Sequence, residues 1–537
     1  MMDVKRALRP MNIGRSGAVA SNHPVATQAG LDVLRAGGNA VDAAVAVSLA
    51  IGVVEPHMSG LGGDGFYHCF FADTAQGLVY NGSGFAPQAA VTPGMSSLPL
   101  RGPGSVSVPG GVGALGLMHS QKGRIPWAEL VGPAIDAAIN GFGVTHVYQR
   151  FASRYADQVR PYAYSAKLFL RDGEAPAIGG FIVQPHLAAS LETLARDGAD
   201  SLYRGDLAAL VAADMRDANV LITAAELASY EAQVQTPIAV TYRGYEVRQT
   251  PPNSTGFVLL QALKLVEARL PKDTSDFFSP DVVHTLIEAK KLAFVEREKL
   301  GADPEHFETP MRTILDFRRL EALAESIDPR KSAIRPVRPS AGDGNTTYFC
   351  VVDRWGNAVS AIQSLNNSFG SGVTLERTGI LLNNRMNCWH LDDAHPNKLM
   401  AGKRVRHTMN APMVLKDGKV WAVFGTPGAD DQVQTNLQVA VGLIDFNLDP
   451  QSLAEAPRWS SSQGGQGANW PHGGDNALTI EDSFPAQAKQ GLRDRGHHLV
   501  EVPYLDGPCS VACIRVLENG ARVAASDPRR DGWAAAY

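Results

Sequence analysis

Disulfide bonding has little material in this chain. Of 537 residues only five are cysteine (Cys69, Cys350, Cys388, Cys509 and Cys513), an odd and scattered set. No apolar h-region separates Lys5, Arg6, Arg9 and Arg15, so the sequence predicts no secretory signal peptide. Free thiols in a reducing cytoplasm are the expectation. No apolar run has the length of a membrane-spanning helix, so no membrane partner is expected. Like charges form no long block and the net charge is only −5, which removes the basic face that nucleic-acid binding requires. Metal signatures are lacking too. Cys509 and Cys513 stand four apart without further ligands, and His497-His498 belongs to no HExxH pattern, so neither metal nor cofactor is expected.

What is present is ordinary globular material, 45% hydrophobic and 19% charged, with 53 glycines that imply many tight turns. Helical spacing begins at Pro24, breaks at Gly37-Gly38, and resumes behind Asn39, a helix-capping residue, as far as Ile51. Ser59-Gly60-Leu61-Gly62-Gly63-Asp64-Gly65 formally matches a dinucleotide-binding pattern. That motif must open a helix, whereas Phe66-Tyr67-His68-Cys69-Phe70-Phe71 reads as a strand, so a tight turn beside a site is the expectation. Further helices are predicted over 110–119, 127–140, 187–196, 207–218, 254–270, 280–299 and 432–446, and strands over 240–248, 379–382, 411–415 and 420–424. Residues 327–345, rich in Pro, Arg, Ser and Gly, read as an exposed connector. They run straight into a strand over 346–353, a turn at Arg354-Trp355-Gly356-Asn357 and a second strand over 358–364. Residues 464–476 read as a surface loop near the mouth of a pocket.

A threonine hydroxyl is a weak nucleophile until a base takes its proton. An α-amine on the same residue, with an ordinary pKa of about 7.7–8.0, supplies that base, and cleavage before Thr346 would create both groups at once. On that residue alone, a β-branched strand opener is the plainer reading. The surroundings argue otherwise. Asn345-Thr346-Thr347-Tyr348-Phe349, Gly356-Asn357-Ala358-Val359-Ser360 and Ser364-Leu365-Asn366-Asn367-Ser368 resemble the γ-glutamyltranspeptidase family. The likeness extends to Gly37-Gly38-Asn39-Ala40-Val41-Asp42, Gly60-Leu61-Gly62-Gly63-Asp64-Gly65, Gly425-Thr426-Pro427-Gly428 and Ser526-Asp527-Pro528-Arg529.

The resemblance implies a four-layer αββα sandwich of the N-terminal-nucleophile type and self-cleavage between Asn345 and Thr346. The products would be a large subunit 1–345 and a small catalytic subunit 346–537 sharing one core; a dimer of such units is compatible with it. Thr346 would be the nucleophile, Ser364 the hydroxyl that holds its amine, and Asn366 a site asparagine. Gly428 and Ala429 would supply oxyanion-binding N–H groups, and alanine is acceptable there because only the backbone N–H is used.

The family's grip on a γ-glutamyl group is altered. Its carboxylate-binding arginine is replaced by Ser83, its amine-binding aspartate by Cys388, a usual glutamine by Arg385, and its paired serines by His407-Thr408. Charge-assisted hydrogen bonds contribute about 1.5–3 kcal/mol each, so losing two costs roughly a hundredfold to ten-thousandfold in affinity. The replacements resemble a side branch that includes oxamate amidohydrolase and related acylases. Asn384, Arg385, His407 and Thr408, with Ser83, would then bind a small acidic amide, Arg385 clamping its carboxylate. An Arg385 ion pair with Asp392 or Asp393 is the structural alternative. Rival functions are a γ-glutamyltransferase or glutathione hydrolase, a bulky-amide acylase, and an unprocessed, non-catalytic relative.

Overall fold

A computed structural model of the chain describes residues 7–333 and 345–537. Two seven-stranded sheets face each other, and helices cover both outer faces, giving the αββα sandwich expected from the sequence. One sheet runs, from edge to edge, Trp533–Ala536, Ala18–Ser21, Asn345–Val352, Ala358–Asn366, Asp64–Phe71, Gln76–Gly82 and Gln233–Gln235. The other runs Asn12–Gly14, Arg522–Ser526, Ala512–Val516, Lys419–Gly425, Met413–Lys416, Tyr245–Gln249 and Ile238–Tyr242. Each sheet therefore interleaves strands from before and after residue 345.

Strand Asn345–Val352 shows how the layers form. All eight residues are buried, so the strand is apolar on both faces. Phe349 and Val351 point to the outer helices, while Tyr348, Cys350 and Val352 point between the sheets, as the two-residue period of a strand requires. The inter-sheet layer is completed by Phe66, Phe70, Ile362, Met413, Val423 and Ile514. Helix Ala40–Val54, buried along its whole length, lies behind the first sheet. Its start is a capping box: the Asn39 side chain accepts from the N–H groups of Val41 and Asp42, and the Asp42 carboxylate takes the Asn39 N–H. Helices Gly256–Arg269, Pro280–Leu300 and Asp431–Ile444 cover the second sheet.

Three expectations need correction. The strand predicted over 240–248 is a hairpin, Ile238–Tyr242 and Tyr245–Gln249, turning at Arg243 (φ 53°) and Gly244 (φ 88°). Residues 379–382 form only isolated bridges, Thr374 to Leu381 and Gly62 to Leu382, rather than a strand. Helix His146–Val159 was not anticipated, although Thr145 caps it by accepting the Tyr148 N–H. Most of the predicted connector lies outside the described residues. The five cysteines are free and buried. Among the described residues no helix is long and apolar enough to cross a membrane.

Candidate active site

Thr346 is the second residue of the central strand, 2% exposed, at a register shift between Asn345 and Thr347. Even-numbered positions of both neighbouring strands face the space between the sheets, so Thr346 and Ser364 meet there. The Thr346 hydroxyl donates to Ser364 Oγ at 3.2 Å, and Ser364 donates in turn to the carbonyl oxygen of Asn345 at 2.8 Å. The carbonyl accepting this relay belongs to the peptide bond joining Asn345 to Thr346. Ser364 Oγ also accepts the Asn366 N–H at 2.7 Å, which fixes the hydroxyl's direction. The Asn345 side chain is pinned by donating to Ser368 Oγ at 2.6 Å and accepting from Arg530 Nη2 at 3.3 Å.

Gly428 and Ala429 lie between strand Lys419–Gly425 and helix Asp431–Ile444, both with positive φ (116° and 47°). A Cβ on Gly428 would sit 2.5 Å from Cys509 Sγ, so glycine is required there by space as well as by backbone conformation. Both residues line one cavity with Asn345. Their carbonyls accept from the N–H groups of Asp431 and Gln432, while among the described residues neither of their own N–H groups finds an acceptor. Two adjacent unsatisfied donors facing a cavity are suited to a developing oxyanion.

Asn366 (φ 81°, a conformation asparagine tolerates) joins this group to Arg385. Arg385 Nη1 donates to Asn366 Oδ1 at 2.9 Å and its Nε donates to Asp64 Oδ2 at 3.2 Å; both charged groups are buried. The carboxylate beside Arg385 is thus Asp64, not Asp392 or Asp393, which are exposed. The cause is tertiary. Asn383 N–H donates to the Gly62 carbonyl at 3.0 Å, which brings the glycine turn before strand Asp64–Phe71 against the segment carrying Arg385. The Asp64 carboxyl is raised by burial, against the lowering effect of Arg385 and of the Gly84 N–H. Arg385 Nη2 has no partner among the described residues.

The other anticipated binding residues lie deeper. Ser83 donates to Asn81 Oδ1 at 2.7 Å and accepts from Asn253 Nδ2 at 3.1 Å. Asn384 donates to the Leu100 carbonyl at 2.8 Å and to Asn367 Oδ1 at 2.9 Å. His407 is wholly enclosed, edge-on to Phe66, and burial together with Arg385 holds its imidazole well below the usual range, hence neutral. Thr408 is half-buried. None of these four, nor Arg385, lines the cavity that contains Asn345 and Gly428. Cys388 donates to Asn469 Oδ1 at 3.1 Å, and burial raises its thiol above the ordinary value, which suits a packed cysteine rather than a nucleophile.

That cavity measures about 740 Å³. Its walls include Arg150, Phe151 and Arg154 of helix His146–Val159, Lys290, Arg530, and Asn469 from the loop over 464–476. Asn366 Nδ2 reaches Asn469 Oδ1 at 3.3 Å, so this loop is tied to the site. Arg530 and Asn469 were not singled out from the sequence; Arg530 follows directly on the Ser526-Asp527-Pro528-Arg529 motif, the one hint of its position. Two groups with metal-ligating side chains also occur. His284 and His497 are hydrogen-bonded to each other at 2.8 Å beside Glu288, while Glu298, near His390 and His395, is already paired with Arg297 and Arg406.

Comparison with known proteins identifies the family. The family model for gamma-glutamyltranspeptidase matches residues 26–537. The chain is 38% identical to the glutathione hydrolase-like YwrD proenzyme of Bacillus subtilis, covering 97% of this chain and 98% of that one. It is 34% identical to the oxamate amidohydrolase proenzyme of Klebsiella pneumoniae, over 98% and 99%. The crystal structure of cephalosporin acylase from Bacillus halodurans superimposes with a TM-score of 0.89 at 32% identity, covering 100% of this chain and 99% of that one. The chain belongs to the γ-glutamyltranspeptidase family.

Proposed function

From that membership we infer that the chain is a self-processing amidohydrolase, cut between Asn345 and Thr346, with Thr346 as nucleophile toward a small acidic amide. The observation that carries this reading is the relay from the Thr346 hydroxyl through Ser364 to the Asn345 carbonyl. In the precursor, Thr346 Oγ attacks that carbonyl and Ser364 passes the proton. The amide nitrogen of Thr346 departs as a free α-amine, and water hydrolyses the resulting ester.

In the mature enzyme the α-amine takes the Thr346 hydroxyl proton as Oγ attacks the substrate amide carbon. The oxyanion forms against the Gly428 and Ala429 N–H groups, and the proton passes to the leaving amine. Water then attacks the acyl-Thr346 ester with the same amine as base. The ion pair of Arg385 with Asp64, joined to Asn366, positions the asparagine beside Ser364. The acidic-amide preference is supported by the absence of an arginine at Ser83 and by the relative named oxamate amidohydrolase.

A second reading, a bulky-amide acylase, is favoured by the cavity of about 740 Å³, which suits a drug-sized ligand, and by the neighbour named cephalosporin acylase. The test measures ammonia release from oxamate and anilide release from a γ-glutamyl anilide and a glutaryl anilide, with Thr346→Ala as control. Ammonia release with both anilides silent supports the first reading. Glutaryl turnover alone selects the second, and strong γ-glutamyl turnover overturns both.

A further inference from the structure

Arg530 is a buried cation without a matching anion. It is 7% exposed, lines the cavity shared by Asn345, Gly428 and Ala429, and lies over the Phe151 ring at 5.0 Å. Its Nη2 donates to Asn345 Oδ1 at 3.3 Å and its Nη1 approaches Met58 Sδ at 2.9 Å. Two arginines of the same cavity wall have carboxylates: Arg529 has Glu481 and Asp527, and Arg150 has Asp506. Among the described residues no carboxylate forms an ion pair with Arg530. Among the carboxylates, Glu55 acts on it most strongly, ahead of Asp527; Glu55 accepts from Thr347 Oγ1 at 2.6 Å, and burial raises its carboxyl to about 7. At neutral pH it supplies only part of a countercharge. A buried guanidinium left this way is costly unless an anion completes it.

Self-cleavage changes what Arg530 touches. Once the Asn345–Thr346 bond is cut, Asn345 becomes a chain end bearing a new α-carboxylate, and as that charged end withdraws toward solvent its amide oxygen leaves Nη2. The place it leaves is one residue from the nucleophile and opens on the cavity. We propose that Arg530 is the carboxylate-binding residue of the mature site, taking an acyl group whose carboxylate lies close to its scissile amide. A planar guanidinium prefers a carboxylate to the neutral amide oxygen it holds in the precursor. The proposal rests on Thr346 being the nucleophile, and it moves the acid clamp from Arg385, which Asp64 already neutralises, to Arg530.

The test uses fully self-cleaved protein and measures oxalate binding by calorimetry, beside kcat and KM for oxamate and for the uncharged ethyl oxamate. Arg530→Met is expected to weaken oxalate binding about 100-fold and Arg530→Lys about 10-fold. The loss on oxamate should appear in KM, with ethyl oxamate changed less than about threefold in kcat/KM. Oxalate binding that is absent in the unaltered enzyme, or unchanged in Arg530→Met, overturns the proposal. Oxalate binding that depends on Arg530, without turnover of any acidic amide, leaves the anion site standing and defeats the substrate reading instead. If neither variant self-cleaves, the unaltered mature enzyme is labelled with phenylglyoxal and its peptides are mapped. Protection of Arg530 by oxalate supports the proposal, and labelling unaffected by oxalate contradicts it.

Discussion

At the scale of single residues, the account turns on hydroxyls, N–H groups and buried charges whose surroundings decide their chemistry. Ser364 bridges the Thr346 hydroxyl and the Asn345 carbonyl, so on the proposed reading Ser364→Ala should slow self-cleavage by about 10²-fold, whereas Ser364→Thr should retain it; gel densitometry during incubation measures both. Gly428→Ala would combine a disfavoured backbone conformation with a collision against Cys509. Its kcat should fall about 10²–10³-fold, with KM changed far less. Lys290 lies in the cavity wall against the Phe294 ring at 4.2 Å, and burial lowers its amine to about 7. The folded state therefore holds this proton less tightly than the unfolded chain does. Stability is reduced below pH 7 and recovers as the pH rises from about 7 toward 10.5. Lys290→Met should accordingly be the more stable protein at pH 6, by no more than about 4–5 kcal/mol, and lose that advantage near pH 10, as denaturant titrations at the two values would show.

At the scale of elements, what the sequence revealed depended on whether the cause was local. The cap at Asn39, and the apolar strand after Asn345, are written in neighbouring residues and were legible, while the reciprocal bond from Asp42 emerged only in the structure. The Arg243-Gly244 hairpin turn was hidden inside one continuous β-prone run. Helix His146–Val159 was hidden because its buried face uses Tyr148, Ala152, Tyr155 and Ala156 rather than an aliphatic stripe. Ser364 and Asn366, the neighbours of Thr346, were singled out through motif resemblance. The Asp64–Arg385 pair was not, because 321 residues separate its members and they meet through tertiary contacts of Gly62 with Leu382 and Asn383. Strand Lys419–Gly425 makes an element-scale prediction. A Cβ on Gly425 would lie 2.3 Å from the Tyr348 ring across the sheets, so Gly425→Ala should destabilise the protein by about 1–3 kcal/mol and lower its melting temperature.

At the scale of the whole molecule, both sheets interleave strands from the two sides of residue 345. Strand Asn345–Val352 pairs with Ala18–Ser21 on one edge and with Ala358–Asn366 on the other. A cut before Thr346 would thus sever the chain without separating the pieces, since the inter-sheet layer mixes side chains from both. Chromatography under native conditions should show one species, and either piece expressed alone should fail to fold. The measurement that bears most directly on the account is the intact mass of freshly purified protein under denaturing conditions, run beside Thr346→Ala. Two masses equal to residues 1–345 and 346–537, with the variant remaining one full-length chain, are predicted. One undivided mass in the unaltered protein, or a cut at any other bond, would contradict Thr346 as the N-terminal nucleophile.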